Sequence, residues 1–586
     1  MLKQLFLLLL LLGAGPAWAD VEIHLKAAST EQHLLQVSLT TDTVAPGNVI
    51  FSMPVWRTGR YQQLDFVHAM TDLKVLDSRG NLLEINKLSD HQWSVSSNRK
   101  QRLSINYLLT ANELSSRTRH LDETHLFVDF AAVAMVVEGQ QEQAVRVELD
   151  IPESWHVRSG LKAGKNSHVL WAENYQILID SPVEAGIHQY RSFKSHGKLI
   201  ELVVWGDTPA DLEQLEQDIA AIVVASYELW GSFPFERYVF MLHATDNVRG
   251  GTEHLNSTIM QWDRFKFNDD KNYLDFMGLV AHEFVHTWNV KAYRPAAFVP
   301  YELTKRHHSP LLWFAEGSTS YLQEKLLLKS GVMTEDDFLE RLSKRLERHA
   351  QKPGGRHQSV ADASWYSWIQ HSGQHRHNFF ANIYDEGFLV TWLMDQWLLQ
   401  QSDNKYGVGA LHRNLYKAYS LPNGLTEQQI IDEMGRLTQN VEGAEQWWQT
   451  TVHSPFKLRA SSSLDDLGFM LDFTDKKASM QAVLVANNDG LMVQTVIKGG
   501  AAWHAKLSAN DRIIAINGFA VNSENYERIQ QSWSVGQTLQ LHVFRQGRLT
   551  ELNIELAEVE TIQGIKELPG SSDAQLQLRQ SWLDNH

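Results

Sequence analysis

The spacing of apolar positions changes twice along the chain. From Val21 to about Phe193 they fall in short alternating or β-branched stretches, such as His33–Leu39, Gln101–Tyr107 and Ala144–Leu149, separated by Gly, Asn and Pro turns. A period of two, broken by turn residues, predicts a β domain. Near Asp211 the period lengthens: Leu212, Leu215, Ile219, Ile222 and Val223 recur at three- and four-residue steps, the stripe of an amphipathic helix. A strand is expected at Tyr238–Leu242, and helical spacing then dominates to about Val452. Short strands with Gly-rich turns return from about Leu464 to Glu558. The residues after that are mostly polar and predict a loosely held tail. The expected fold class is therefore multidomain α+β, with a β-rich domain over 20–195, a mainly helical domain over 196–458, a small β module over 459–560 and a tail over 561–586.

The length of 586 residues fits this division, since one core rarely organises more than about 200 residues. A content of 43% hydrophobic residues is enough to bury several cores. Lys and Arg number 53 against 69 Asp and Glu, a formal charge of -16, so the basic footprint that nucleic acid requires is missing. Cysteine is absent altogether. That excludes disulfide scaffolds, thiolate catalysis, iron–sulfur clusters and Cys-ligated zinc, and leaves any metal to His, Asp and Glu. Residues 1–19 carry Lys3, an apolar run from Leu5 to Leu12 and a small-x-small end at Ala17 and Ala19. This reads as a secretory signal peptide, too short in its apolar run to span a bilayer. An exported chain, periplasmic and not integral to the membrane, is expected.

The chemistry concentrates between Asp275 and Pro295, where Phe276, Leu279, Val280 and Phe284 give helical spacing and Pro295 is expected to end the helix. His282 and His286, four apart, share one face of such a helix and can reach one zinc ion, with Glu283 beside them to act on water. A further ligand is expected from a later helix. Ser309-Pro310 reads as an N-cap and first helical position, and Glu316 falls inside the segment after it, flanked by Trp313, Phe314 and Tyr321. A carboxylate in such apolar company needs a partner, and two His with one Glu leave zinc a fourth position for water.

At these residues the chain resembles the PDZ-containing glycyl aminopeptidases, a branch of the gluzincin metallopeptidases. The resemblance rests on His282-E-F-V-H-T-W-N-V-K-A-Y-R-Pro295, Trp313-F-A-E-G-S-T-S-Tyr321, Gly250-G-T-E-H-L-N-S-Thr258, Tyr384-D-E-G-F-L-V and an early Pro54-V-W-R-T-G-R-Tyr61. It implies a thermolysin-like catalytic domain with one zinc ion per chain, held by His282, His286 and Glu316, and Glu283 as general base. From the residues alone, Gly250 and Gly251 let the backbone approach a ligand while Glu253 either holds an ammonium or is a surface carboxylate on a turn. The resemblance implies the former: an edge strand along the substrate, with Glu253 on the free α-amine of a peptide. Thr252 stands where the family has an aliphatic residue. It likewise implies that Tyr384 donates a hydrogen bond to the developing oxyanion, although Glu386 replaces the Lys usual two residues later. The histidines from His371 to His377, and His307 with His308, read as solvated loop residues because no carboxylate spacing accompanies them.

Gly490–Gly518 resembles a PDZ domain, and Leu467-Gly468-Phe469 is expected to be the loop that receives a C-terminal carboxylate, with the peptide adding a strand. Equally, the domain could serve only to pack against the catalytic unit or shape access to it. The expected function is zinc aminopeptidase action on small N-terminal residues such as Gly and Ala. The alternatives are a zinc endopeptidase whose PDZ domain reads substrate C-termini, and a non-catalytic peptide-binding protein.

Overall fold

A computed structural model describes residues 21–42, 46–369, 375–455, 458, 460–473 and 476–584. The leader expected over 1–19 lies outside them. The chain divides into two units: residues up to Arg57 with Leu64–His188, and Thr58–Gln63 with the chain from Gln189 onward.

The first unit is built of sheets. Seven strands run in the order Lys162–Ala163, Val169–Ala172, Val145–Asp150, Val21–Ser29, Leu34–Asp42, Arg102–Thr110 and Met70–Leu76. Val37 faces Leu25 on one side and Tyr107 on the other, so one apolar face of the alternation is buried as a continuous layer. A five-stranded sheet in the order His156–Ser159, Val183–Gly186, His125–Val128, Arg119–Leu121, Asn112–Glu113 and a four-stranded sheet complete the unit. The β domain was expected to reach residue 195, but Gln189–Ser195 pairs with Lys198–Trp205 and so belongs to the second unit.

The second unit opens on a five-stranded sheet ordered Gln189–Ser195, Lys198–Trp205, Arg237–Thr245, Ser257–Asp263, Arg249–Glu253. The last of these, antiparallel to its neighbour, is an edge strand. Helix α1 (Leu212–Trp230) is capped by Asp211 and buries Leu215, Ile219, Ile222 and Val223, the stripe its spacing predicts. Helix α2 (Asp270–Val285) starts on an Asp269 cap and ends ten residues before Pro295. A turn in the backbone just past the helix is the reason: Lys291 N–H returns to His286 O, and Val290 takes a φ of 111°, so the chain doubles back through residues 286–294. Helix α3 (Leu312–Lys329) begins two residues after the expected Pro310, its cap position held by Leu311. Nearly every residue in its first 16 is buried, which is why it carries no clean polar face. Helices α4 (Glu335–Gln351) and α5 (Asp385–Gln401) come after it.

In the carboxy-terminal module five strands run in the order Ala482–Asn487, Gly490–Val496, Arg512–Ile516, Thr538–Arg545, Arg548–Glu555. Leu491, Val493, Ile513, Leu539, Leu541 and Val543 fill its core. Asn517 and Gly518, at φ 52° and 83°, make the turn after Ile516. Asp511, buried, pairs with Arg545 through Nε at 2.8 Å and Nη2 at 2.6 Å.

Two expectations fail here. Phe469–Phe473 lies outside that sheet and pairs instead with Ile562–Glu567. The carbonyls of Leu467 and Gly468 accept from Arg579, and Gly468 O also takes the N–H of Leu568 at 2.8 Å. The N–H groups of Leu467 and Gly468, which would receive a carboxylate, donate instead to the carbonyls of Leu464 and Asp465 at 3.0 and 2.8 Å, so the segment is not a carboxylate-binding loop. Nor is the C-terminal segment loose: Ile562–Glu567 is a strand, and α6 (Asp573–Asp584) buries Trp582 completely. Its polar composition hid the anchor, because one Trp and Leu578 suffice to fix a short amphipathic helix.

Candidate active site and metal centre

Helix α2 presents His282 and His286 one turn apart, and α3 brings Glu316 against them. The two Nε2 atoms lie 3.1 Å apart, and Oε2 of Glu316 is 3.6 Å from His282 Nε2 and 3.4 Å from His286 Nε2. Three ligand atoms of the kinds zinc takes thus converge within 4.8 Å.

The ring orientations fit a cation. His282 Nδ1 is 2.8 Å from Gln323 Oε1, and His286 Nδ1 is 2.9 Å from the carbonyl of Asn289. Acceptors on both Nδ1 atoms place the protons there and turn the Nε2 lone pairs toward Glu316. Asn289 is itself fixed by its amide donating to the Phe314 carbonyl at 3.0 Å and to Thr319 Oγ1 at 3.0 Å, so the turn after α2 is stitched to α3. Gln323, two turns beyond Glu316, donates to Glu324, and Arg341 and Arg345 neutralise that carboxylate at 3.5 and 3.4 Å.

Burial pushes the His282 imidazole down from its ordinary value. At His286 burial is again the largest influence and acts the same way, but the charge and hydrogen bond of Glu316, with the charges of Glu253 and Glu283, together outweigh it and carry the ring up to about 9. Burial would raise Glu316, yet the two imidazoles hold it far below the usual carboxylate range. The cluster on its own therefore keeps a positive charge beside Glu316, the place a divalent cation would take.

Tyr61 supplies the second contact to Glu316. Its hydroxyl donates to Oε1 at 2.7 Å and is buried. Burial first, then the Glu316 charge, push that hydroxyl well above its ordinary value, so it stays a donor. The Pro54–Tyr61 stretch drew attention as a motif, but nothing in the sequence assigned Tyr61 to this carboxylate 255 positions away.

Glu283 is buried and Gly251 lies against it: a Cβ at Gly251 would overlap Oε1 of Glu283. Gly251 and Gly250 sit on the edge strand opposite Met260 and Gln261. At the strand's end Glu253 is buried, its Oε1 without a hydrogen bond among the described residues. Gly59, at φ 80°, leans on both Glu253 oxygens and has no room for a Cβ. Thr252 is buried, with its hydroxyl donating to the Gly251 carbonyl at 2.7 Å. Tyr384, partly exposed, stands immediately before α5 with its ring centroid 6.3 Å from that of His282. The unusual Glu386 faces elsewhere, bonded to His349 at 2.7 Å, while Arg345 and Arg348 hold Asp385. Of the histidine run from 371, residues 371–374 lie outside the described residues and His375–Phe379 is a short helix. His308 Nδ1 meets the Trp365 carbonyl at 2.8 Å, and His307 Nε2 lies 3.0 Å from the carbonyl of Glu302.

The peptidase M61 N-terminal domain matches residues 22–187 and the M61 glycyl aminopeptidase domain residues 275–390. The chain carries the N-terminal and peptidase domains of the M61 glycyl aminopeptidases. Its peptidase domain is of aminopeptidase type, and residues 470–556 match a PDZ domain. Among solved structures it is similar to an aminopeptidase N family protein from Idiomarina loihiensis, at 26% identity and TM-score 0.87, covering 96% of this chain and all of that one. Weaker likenesses include an M1 zinc metallopeptidase mutant from Deinococcus radiodurans bound to a Tyr-Ser-Ala substrate (13% identity, TM-score 0.48, covering 75% and 94%) and yeast LTA4 hydrolase with bestatin (12%, 0.48, 76% and 70%). Comparison with curated proteins found no match.

Proposed function

We propose that this M61 peptidase removes small N-terminal residues, Gly or Ala, from peptides in the exported compartment, with zinc held by His282, His286 and Glu316. The leader-like residues 1–19 support export, and no helix among the described residues is long and apolar enough to cross a membrane. The family supports the preference for small residues.

Zinc, when bound, supplies Lewis acidity toward the scissile carbonyl and acidifies water. The chain's own groups do the rest. Glu283, fixed against Gly251, takes the proton of the attacking water and passes it to the leaving amine. Tyr384 donates its hydroxyl to the oxygen on which charge develops. The edge strand at Gly250 and Gly251 offers its backbone to the substrate, and Glu253 binds the α-ammonium, limiting cleavage to one residue. The observation that carries this exopeptidase reading is Oε1 of Glu253: a buried carboxylate oxygen without a protein hydrogen bond among the described residues is costly unless something else meets it. A substrate ammonium does so. In the PDZ domain the outer strand Ala482–Asn487 ends the sheet path and is where a C-terminal peptide would add.

The test compares a free peptide with its N-acetylated form. The free peptide should release amino acid and the acetylated one resist, and Glu253→Gln should lower kcat/KM on the free peptide by about 10- to 100-fold, the worth of a charge-assisted hydrogen bond. Equal cleavage of both peptides would replace this reading with an endopeptidase.

A further inference from the structure

We propose that the amino-terminal unit holds a second divalent cation, at His120, Asp122 and His125. Arg119–Leu121 and His125–Val128 are adjacent antiparallel strands, with Leu121 opposite Leu126 and His120 opposite Phe127. His120 and Asp122 are two apart and share one face of the hairpin. His125 stands across the turn from Asp122, whose N–H donates to the His125 carbonyl at 3.0 Å, so it projects to that face as well.

The ligand atoms of all three lie within 4.8 Å of one another. His120 Nδ1 is 2.8 Å from His125 Nε2 and 3.9 Å from Asp122 Oδ2. The other oxygen, Oδ1, accepts from Thr124 N, Thr124 Oγ1 and His125 N at 2.7, 2.7 and 3.0 Å, which fixes the turn and leaves Oδ2 toward the histidines.

The neighbouring strand Val183–Gly186 adds the group that orients this cluster. Glu184 pairs with Phe127 and reaches the same face, and its Oε1 is 3.0 Å from His125 Nδ1. Glu184 and His125 are both fully buried. A carboxylate on Nδ1 puts the proton there and presents Nε2 as a lone pair, the arrangement that backs metal-ligating histidines. Two imidazole nitrogens and a carboxylate oxygen, on a braced hairpin, match the donor set and number of a three-ligand zinc site with a fourth position for water. The side chains of His120 and Asp122 are 13% and 20% exposed, which gives an ion a way in.

This site is independent of the cluster at His282, His286 and Glu316, so the test removes that cluster first. Full-length His282→Ala/Glu316→Gln is stripped with chelator, reloaded with Zn2+, dialysed and analysed for metal. One equivalent is expected, against two for the unaltered chain. Adding Asp122→Asn, a change of nearly equal shape, should weaken Zn2+ binding about 10- to 100-fold, and adding His125→Ala should abolish it. With Co2+ in place of zinc, the retained equivalent should give a visible ligand-field band that the same changes remove. No retained metal in His282→Ala/Glu316→Gln would overturn the proposal. So would an equivalent that survives Asp122→Asn with unchanged affinity, because the ion would then sit elsewhere.

Discussion

Tyr61→Phe removes one hydroxyl and adds no atom, so its consequence can be worked from a single contact. The lost bond runs from a buried phenol to an oxygen of Glu316 at 2.7 Å. Hydrogen bonds to charged groups contribute about 1.5–3 kcal/mol, and 1.4 kcal/mol is a factor of ten. If the hydroxyl stabilises Glu316 in the orientation that faces His282 and His286, the zinc dissociation constant should rise about 10- to 100-fold, the usual cost of losing a partner behind a metal ligand. The assay is competition for zinc against a chromogenic chelator, followed by activity measured along a zinc titration. The variant should need more zinc to reach half-maximal activity, yet approach the parent rate once loaded. Unchanged zinc affinity would refute the reasoning. A rate defect that added zinc does not restore would also refute it, and would place the phenol on the substrate instead.

Gly251→Ala should lower turnover by about 100-fold or more with little loss of zinc, because the new methyl occupies the place of Glu283 Oε1 and must displace the proposed base; metal analysis beside a rate measurement separates the two effects. Trp582→Ala should lower stability by about 3–5 kcal/mol, seen as a lower melting temperature, since the ring is fully buried, donates to the Tyr321 hydroxyl at 2.8 Å, and its carbonyl accepts from the buried Lys325. His412 is neutral in the fold, because burial pushes it down to about 3, whereas unfolded it titrates near 6.5. Its depressed value means that stability present above pH 6.5 is lost progressively as pH falls toward about 3, amounting to about 3 kcal/mol by about pH 4.5. His412→Phe should therefore melt below the parent at neutral pH, having lost the 2.6 Å contact with Tyr293, and the gap should narrow on acidification; a gap independent of pH would contradict the assignment.

What could be read in the sequence was local in chain distance or periodic. The α1 stripe from Leu215 to Val223 appeared as a 3.6-residue period and is buried as that period requires. His282 and His286 are one helical turn apart, so their meeting follows from α2 alone. Other features depend on contacts that no period encodes. Pro295 looked like the end of α2, but the turn set by Asn289 and Lys291 ends it at Val285. Tyr61 and Gly59 reach Glu316 and Glu253 across nearly two hundred residues or more, and a motif quoted in isolation cannot say which carboxylate it serves. Gln323 was accessible in principle, lying seven residues from Glu316 and so on the same face of α3. The C-terminal segment misled because polarity was taken for looseness, while Trp582 and the pairing of Ile562–Glu567 with Phe469–Phe473 hold it in place. The bonds from the N–H groups of Leu467 and Gly468 to Leu464 and Asp465 removed Leu467-Gly468-Phe469 from the role its Gly suggested.

The proposed function rests on Glu283 acting as the base at a zinc site, and the most direct measurement is made on Glu283→Gln. The change keeps side-chain shape and touches no proposed ligand. The variant should carry the same zinc content as the parent while turnover of an alanyl or glycyl amide falls about 10²- to 10⁴-fold, and the parent should lose the same activity to a chelator and regain it with zinc. Turnover near the parent level in zinc-loaded Glu283→Gln would contradict the central claim.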